Sequence, residues 1–391
     1  MNLRTALLLL AAALVIGGIG LRYYDLEQFK KETAQAERFL PEFDLNSVAE
    51  ITVKTNNSTA TLKKTETGWT VAERESYPAD FAAVGETVQR LWDFKPAQDV
   101  IAGPSQFARL EIVEPDGKAE GAGTLIDLKD KDGKRLAAVV VGKQSFGQPE
   151  PDSPFPPAPN GRFIVAAGSE GPVGIAAEGF DLVRDKPEMW LDRDFVKLGD
   201  IKSIALDSPD KKWRVFRDAP ATPWKLDGAT PNESADSTKI DPIASMMASP
   251  SFNDIAPKST ADTAFSAPST LTLENFDGFT ATYTIGARAG ESYPAKVAVA
   301  ASLPTQRTPA ADENPEDKDR LEKEFQDKLS KLKADLEGTK KFAGRIFLLP
   351  VQPIEAALKP RDQLLAAPAP TPTPSPSPSP SPTPVPKKKK N

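Results

Sequence analysis

The sequence predicts an α+β fold in which an N-terminal transmembrane helix is followed by two related β-rich modules. Three observations lead to this prediction: an unbroken apolar run near the N-terminus, many short segments with alternating apolar residues, and a pattern of such segments that occurs twice. We expect antiparallel sheets, with the approximate order β-β-β-α-β-β-β in each module. The alternating prolines near the C-terminus predict a disordered Pro-rich tail.

The composition excludes several classes of function. The 391 residues contain no histidine and no cysteine. A Ser-His-Asp or Cys-His nucleophile, an ordinary zinc site, a haem held by His or Cys, and a disulfide are therefore all excluded. The net charge of -6 has the wrong sign for a protein that binds a phosphate backbone. We therefore do not expect nucleic acid as a partner.

The first segment of the chain has the character of a membrane anchor. The apolar run Ala6–Leu21 lies between Arg4 and Arg22. As a helix it would rise about 24 Å, which is short of a hydrocarbon core of about 30 Å unless flanking residues extend it. Length alone leaves a cleaved signal peptide open as well, but residues 18–20 form only a weak cleavage site. We predict an uncleaved, single-pass anchor over residues 1–24.

The orientation of this anchor rests on two opposing signals. Arg22, Lys30 and Lys31 outnumber the cations on the other side, which favours a cytoplasmic body. The order of a charged start followed by an apolar stretch is that of an export signal. We predict a bacterial inner-membrane protein with an extracytoplasmic, periplasmic body, joined to its anchor by a linker helix over residues 25–45.

The first module is predicted over residues 46–195. Three segments with period-two alternation indicate an antiparallel meander: Ser47–Lys54, Thr59–Lys64 and Gly68–Val71. Asp80 is placed as the N-cap of a helix that follows. Three later strands are expected at Gly123–Leu128, Leu136–Gly142 and Arg162–Ala166.

The second module is predicted over residues 196–365 because the same order recurs there. Its early strands are expected at Asp200–Leu206, Lys212–Phe216 and Trp224–Leu226, followed by a helix near Asp241–Met247. The later strands Ser269–Leu273, Phe279–Gly286 and Arg345–Leu348 are matched to the three of the first module. Trp69 and Trp224 occupy corresponding positions and are interpreted as core aromatics, with ligand stacking as the alternative.

A charged helix is predicted as an insertion in the second module, over residues 315–338. Pro315 and Gly338 bracket it, and 14 of the 22 residues from 316 to 337 are charged. One apolar stripe runs along it, formed by Leu321, Phe325, Leu329, Leu332 and Leu336. This stripe could dimerise or dock on a partner helix, but we expect it to pack against its own module.

The tail over residues 366–391 is predicted to stay outside the fold. From Pro368 to Pro386 every second residue is proline, which favours a polyproline II rod of roughly 60 Å. Its tip is formed by Lys387, Lys388, Lys389 and Lys390. These lysines could contact anionic lipid or a wall polymer, or the tail could be solvated without a partner.

No catalytic residue, cofactor site or metal site is predicted. Hydrolysis of glycosides by two carboxylates is the chemistry that the composition leaves open. The acids considered for it are Asp127, Asp130, Asp132, Asp192 and Asp194. Residues 129–133 have the composition of a hairpin turn and lack the remaining ligands of a calcium loop. The Ser-x-x-Lys motif at 330–333 lies on the charged helix, and no phosphate-binding glycine motif is present.

An ordered set of motifs resembles the domain-of-unknown-function 4340 family. The matching residues are Ile51–Val53, Gly68–Trp69, Tyr77–Asp80, Val139–Lys143 and Met189–Arg193. The resemblance covers about residues 45–360 and implies a bacterial single-pass envelope protein, often encoded beside an ABC-type export or gliding-like permease. It implies no catalytic residues. The charged insertion and the Pro-Lys tail depart from the family pattern.

These features together predict a membrane-anchored, non-catalytic extracytoplasmic protein. We expect it to be an accessory or scaffolding subunit of an ABC-type envelope transport or gliding-like complex, with a permease or auxiliary subunit as its partner. A carboxylate-based carbohydrate-active enzyme of the envelope is one alternative. A cell-wall or surface binding module that attaches through its lysine tip is another.

Overall fold

The computed structural model describes residues 39–147, 157–177, 184–309 and 313–367. Two antiparallel sheets and a few helices make up this part of the chain, which confirms the α+β class. Within these residues no helix has both the length and the apolar character needed to span a membrane. The predicted anchor, most of the predicted linker helix and nearly all of the predicted tail lie outside the described residues.

The first sheet has nine strands in the order β4-β3-β2-β1-β6-β7-β8-β9-β5. Helix α1, Phe81–Trp92, follows β4, and the short helix α2, Phe107–Leu110, follows β5. The strands are β1 Glu50–Lys54, β2 Thr59–Thr65, β3 Gly68–Val71, β4 Tyr77–Pro78, β5 Gln98–Val100, β6 Thr124–Lys129, β7 Arg135–Phe146, β8 Pro159–Ala166 and β9 Val173–Ala176.

The second sheet has eight strands in the order β12-β11-β10-β14-β15-β16-β17-β13. Its strands are β10 Ile201–Asp207, β11 Lys212–Phe216, β12 Lys225–Leu226, β13 Asp254–Ala256, β14 Ser269–Asn275, β15 Phe279–Ile285, β16 Ser292–Ala301 and β17 Ile346–Pro350. The helices are α3 Ser237–Ala248, α4 Ala261–Ala264, α5 Lys318–Gly338 and α6 Val351–Ala357.

The two sheets share one topology, because the strand orders match one to one when β4 is left out. The register agrees as well. Ile51 of β1 lies between Leu62 and Leu128 on its neighbouring strands, and Ile204 of β10 lies between Val215 and Leu273 in the same way. The internal repeat that the sequence pattern predicts is therefore present in the sheets.

One match within the predicted repeat is wrong. The sequence pattern matches residues 162–166 with residues 345–348. In the sheet orders, however, β8 is equivalent to β16, and β9 is equivalent to β17. Most of β16 consists of alanine and valine, so it shows no clear alternation of apolar and polar residues. Strands β5 and β13 have only three residues each, too few for a periodic signal.

The helix that follows the meander is capped by aspartate in both modules. Asp80 accepts hydrogen bonds from the Ala82 and Ala83 N–H groups at 3.0 and 3.1 Å, as predicted. In the second module the cap is Asp236, so α3 begins well before the predicted start at residue 241. Pro242 therefore lies inside the helix, although a proline in a helical sequence pattern usually indicates the start of a helix.

A continuous apolar core extends through both modules. It contains Trp69 and Trp224, as expected for core aromatics. In α5, Leu329 is buried, and Leu332 and Leu336 pack against the same core. The C-terminal part of the predicted stripe thus packs against the body of the protein, whereas Leu321 and Phe325 are half-buried and lie outside both apolar clusters. A smaller apolar cluster, which includes Leu125, Val140 and Val165, also lies in the first module.

Candidate functional site

The acids considered for catalysis in the first module lie on a strand and on its turn. Asp127 is buried on β6, where both of its carboxylate oxygens accept hydrogen bonds from Arg135 at 3.1 Å. Asp130 is half-buried and accepts hydrogen bonds from the N–H groups of Asp132 and Lys134, both at 2.9 Å. This is the hairpin turn that the sequence predicts.

Asp192 and Asp194 are brought together by a lysine of the second module. The Lys341 Nζ atom lies 2.9 Å from Asp192 Oδ2 and 3.5 Å from Asp194 Oδ2. Asp194 also accepts a hydrogen bond from Lys197, and this bond, with Lys341 nearby, holds the pKa of Asp194 below its usual range. A general acid needs a raised pKa, so this arrangement favours ion pairing over proton donation.

Arg74 forms the next contact along the junction between the modules. It follows β3 and reaches Asp254 of β13, with Nε–Oδ1 and Nη2–Oδ2 distances of 2.5 and 2.9 Å. Its Nη2 atom also lies 3.0 Å from Glu188 Oε2. The three side chains are between 19 and 31% exposed, so water screens this triad only in part.

Two further arginines bind backbone carbonyls across the junction. Arg345 donates to the Glu75 carbonyl at 3.1 Å and to the Lys341 carbonyl at 2.7 Å. Arg193 donates to the Phe252 carbonyl at 2.7 Å and lies over the Phe252 ring. Glu75 has φ 55°, a left-handed conformation that is uncommon for this residue type, and the Arg345 bond stabilises it.

The centre of the junction is aromatic. Phe195 lies 5.0 Å from Phe252, 5.0 Å from Phe342 and 4.8 Å from Phe347, measured between ring centroids. Tyr77 of the first module packs edge-on against Phe252 and Phe347 at 5.9 Å. An aromatic centre within a rim of charged residues is the arrangement found at stable protein–protein interfaces. It joins the two modules into one body.

The Tyr77 side chain is fully buried within this centre. Its hydroxyl has no hydrogen-bond partner among the described residues, and the Arg345 guanidinium lies 5.4 Å from its ring centroid. Burial, helped by the nearby Asp192 carboxylate, raises the pKa of Tyr77 well above its usual value. The phenol is therefore neutral at every physiological pH.

A separate groove lies beside the first residues that the structure describes. Its volume is about 780 Å³, and its apolar lining includes Phe39, Leu40, Trp92, Phe94 and Pro96. The rings of Phe39 and Phe94 are 5.1 Å apart. Trp92 is 44% exposed, so part of this apolar lining is in contact with solvent.

A comparison with family models shows to which protein family the chain belongs. A model described as "Domain of unknown function (DUF4340)" matches residues 69–275, more than half of the sequence. The chain belongs to this family. No curated protein and no solved structure matches it. In this DUF4340 protein the match runs from the meander of the first module through the junction to β14 of the second.

The junction of this DUF4340 protein contains basic residues whose role no sequence motif indicates. Arg74, Lys341 and Arg345 meet partners that lie 114 to 270 positions away in the chain. No local pattern marks such residues, because arginine and lysine are common at turns and helix ends. The sequence signals at the junction are the motifs Tyr77–Asp80 and Met189–Arg193, on which the family resemblance rests. No cluster of three or more potential metal-binding side chains occurs in the described part of the chain.

Proposed function

We propose that this protein is a membrane-anchored accessory or scaffolding subunit of a bacterial envelope transport complex. The observation that carries the proposal is the junction, since an aromatic centre and several ion pairs hold two large sheets in one fixed arrangement. A rigid body of this kind suits a protein that holds other subunits at a set distance. The acids considered for catalysis are paired with cations or lie in a turn, which suits a binding role better than hydrolysis.

The groove beside Trp92 supports an attachment close to the membrane. Its lining includes Phe39 and Leu40, the first residues that the structure describes, which follow the predicted anchor, Ala6–Leu21, in the sequence. In this proposal the anchor lies in the bacterial inner membrane and the body is periplasmic. The partner is an ABC-type permease or its auxiliary component, and family membership supports this choice only through the gene neighbourhood that the resemblance implies.

The test is crosslinking in intact membranes, followed by purification in a gentle detergent. We expect a permease or its auxiliary subunit to co-purify with the full chain. A matched control replaces residues 1–24 with a cleavable export signal, which frees the body from the membrane and should abolish co-purification. Recovery of the full chain without any permease would contradict the proposal. A fusion reporter on the body would separately test the periplasmic orientation.

A further inference from the structure

The longest strand of the second sheet has an open stretch on one side. β16 pairs with β15 along Ala295–Ala301, but it pairs with β17 only along Ser292–Ala295. Beyond Ala295, no strand among the described residues lies on the β17 side of β16. Residues 296–301 therefore form a sheet edge, although β16 is not an outermost strand of the sheet.

The register shows which backbone groups face this edge. The Gly286 N–H donates to the Pro294 carbonyl, and the Ser302 N–H donates to the Gly278 carbonyl, both at 2.8 Å. Because successive residues of an antiparallel strand bond to opposite neighbours, Val297, Val299 and Ala301 direct their N–H and C=O groups away from β15. No other described residue bonds to these groups.

Several other open positions in the two sheets are protected. The outermost strands β4, β5, β12 and β13 have only two or three residues each. On β2, the Thr61 N–H donates to the Glu73 carboxylate at 3.0 Å, and on β11 the Arg214 carbonyl accepts from the Asp227 N–H at 2.8 Å. Short edges, hydrogen-bonded caps and cover by a helix or loop are known protections against strand pairing. Residues 296–301 are neither short nor capped, and the end of α5 and the residues that follow it lie across a groove from them.

The open edge of β16 and the charged insertion that contains α5 both occur in the second module only. In the first module β8 ends at Ala166, and a turn through Gly168 leads directly to β9. In the second module β16 continues to Ala301, and the segment with α5 follows before β17 begins. The extension of the strand and the charged insertion therefore occur together, and only in the second module.

A groove of about 500 Å³ runs along this edge. Its residues are Thr282, Thr284, Lys296, Val297, Ala298, Val299, Leu336, Thr339, Lys340, Ala343 and Gly344. Lys296 and Lys340 are the charged residues of this lining, and no carboxylate belongs to it. Lys340 is held by Glu337 at 2.7 Å beside the groove. Lys296 has no carboxylate partner among the described residues, and its Nζ atom lies 4.6 Å from the centroid of the Phe265 ring. The groove thus combines unpaired backbone groups with the positive charge of Lys296.

We propose that the edge formed by residues 296–301 receives an extended segment of a partner polypeptide. The segment adds to the second sheet as a strand, bonds to Val297, Val299 and Ala301, and carries acidic side chains that face Lys296 and Lys340. Addition of a strand to a sheet edge is a recurring way to bind a peptide, in which backbone bonds provide affinity and side chains provide specificity. The proposal deepens the scaffolding role and rests on it for the source of the segment.

The first test uses the purified full chain and a fluorescein-labelled heptapeptide of alternating valine and glutamate. We expect saturable binding in fluorescence anisotropy. Val299→Pro removes one N–H that faces the edge, and we expect the dissociation constant to rise about tenfold or more. Ala300→Ser is the matched control, because Ala300 bonds to β15 and its side chain is exposed, and it should bind as the parent does.

A charge exchange tests the chemistry of the partner. The double variant Lys296→Glu and Lys340→Glu should bind the glutamate peptide at least tenfold more weakly and should prefer a peptide in which lysine replaces glutamate. Equal binding of both peptides by the parent chain would overturn the acidic partner. Failure to bind any extended peptide would overturn the proposal, whereas co-purification of a permease is measured separately and tests the membrane role.

If Val299→Pro does not fold, hydrogen exchange of the parent chain tests whether the edge at residues 296–301 is free and binds the peptide. In the free chain the amides of Val297, Val299 and Ala301 should exchange much faster than that of Ala298, which bonds to β15. Addition of the glutamate peptide should slow the exchange of these three amides and leave that of Ala298 unchanged. Protection of the three amides without peptide would show that the edge is already covered, and it would overturn the proposal.

Discussion

Tyr77 shows how a single polar atom is placed at the centre of an otherwise apolar junction. Its hydroxyl is buried without a hydrogen-bond partner among the described residues. Tyr77→Phe should therefore leave the free energy of unfolding unchanged or raise it by about 1 kcal/mol, because the variant removes an unsatisfied group. Tyr77→Ala should lower it by about 3–5 kcal/mol, since it leaves a cavity among the phenylalanines. Denaturant unfolding measures both, and a clear loss for Tyr77→Phe would contradict the expectation.

The buried tyrosines also set a dependence on high pH. Burial raises the pKa of both Tyr77 and Tyr283 above the ordinary value of about 10. Below pH 10 both tyrosines are neutral in the folded and in the unfolded chain, so their full contribution to the free energy of unfolding is present. Above pH 10 the unfolded chain loses these protons while the folded chain keeps them, so each tyrosine should lower the free energy of unfolding by about 1.4 kcal/mol per pH unit.

Unfolding in urea between pH 9 and 11.5 measures this slope. The double variant Tyr77→Phe and Tyr283→Phe is the control, because it keeps the rings and removes both titrating groups. The slope of the variant should be smaller than that of the parent by about 2.7 kcal/mol per pH unit at most. Identical slopes would mean that the two hydroxyls ionise in the folded protein.

The ion pair between Arg74 and Asp254 should contribute more than an exposed pair. Both side chains are less than a quarter exposed, and the two hydrogen bonds are parallel. A double-mutant cycle with Arg74→Ala and Asp254→Ala should give a coupling energy of about 1–3 kcal/mol. The exposed cross-strand pair Lys212 and Asp207 is the control and should give less than about 1 kcal/mol. Equal coupling energies would mean that the junction pair contributes no more to stability than an exposed surface pair.

At the scale of elements, the helix of each module should depend on its aspartate cap. Asp80 accepts from two N–H groups at the start of α1, and Asp236 accepts from the Thr238 N–H at the start of α3. Asp80→Ala and Asp236→Ala should each lower the free energy of unfolding by about 1 kcal/mol. Asp80→Asn and Asp236→Asn should cost much less. Chemical denaturation compares them, and losses that do not add in the double variant would show that the caps are coupled.

The sequence indicates some elements well and others not at all, for a physical reason. Strands β1 and β10 face the core on one side only, so their apolar residues alternate and reveal both the strands and the repeat. Strand β16 consists mostly of alanine and valine, and its assignment depends on neighbours that are distant in the chain. The aspartate cap of α1 is predicted by a local pattern, whereas Pro242 conceals the start of α3.

The candidate site could be predicted only in part. Asp192 and Asp194 were noted as acids, but their partner Lys341 lies 149 and 147 positions away. A contact of this kind arises from the way two sheets pack together, and no local periodicity encodes it. The open edge of β16 has the same origin, because an edge is defined by which strand does not pair with it.

At the scale of the whole molecule, the junction should make both modules unfold together. The buried core is continuous across them, and Phe252 and Phe347 of the second module contact Tyr77 of the first. We therefore expect one calorimetric transition for the full chain, because neither sheet can lose its packing without exposing the aromatic centre of the other. Phe347→Ala removes a ring that contacts four others, and it should lower the free energy of unfolding by about 3–5 kcal/mol.

The same variant should also loosen the link between the modules, because it leaves a cavity at the centre of the junction. We expect its transition to broaden or divide into two. Phe163→Ala, in a strand that packs on the smaller cluster of the first module, is the control: it should lower stability and keep one transition. Two separate transitions in the parent chain would mean that the modules are independent domains. A fixed scaffold would then need its partner to hold the two sheets in place.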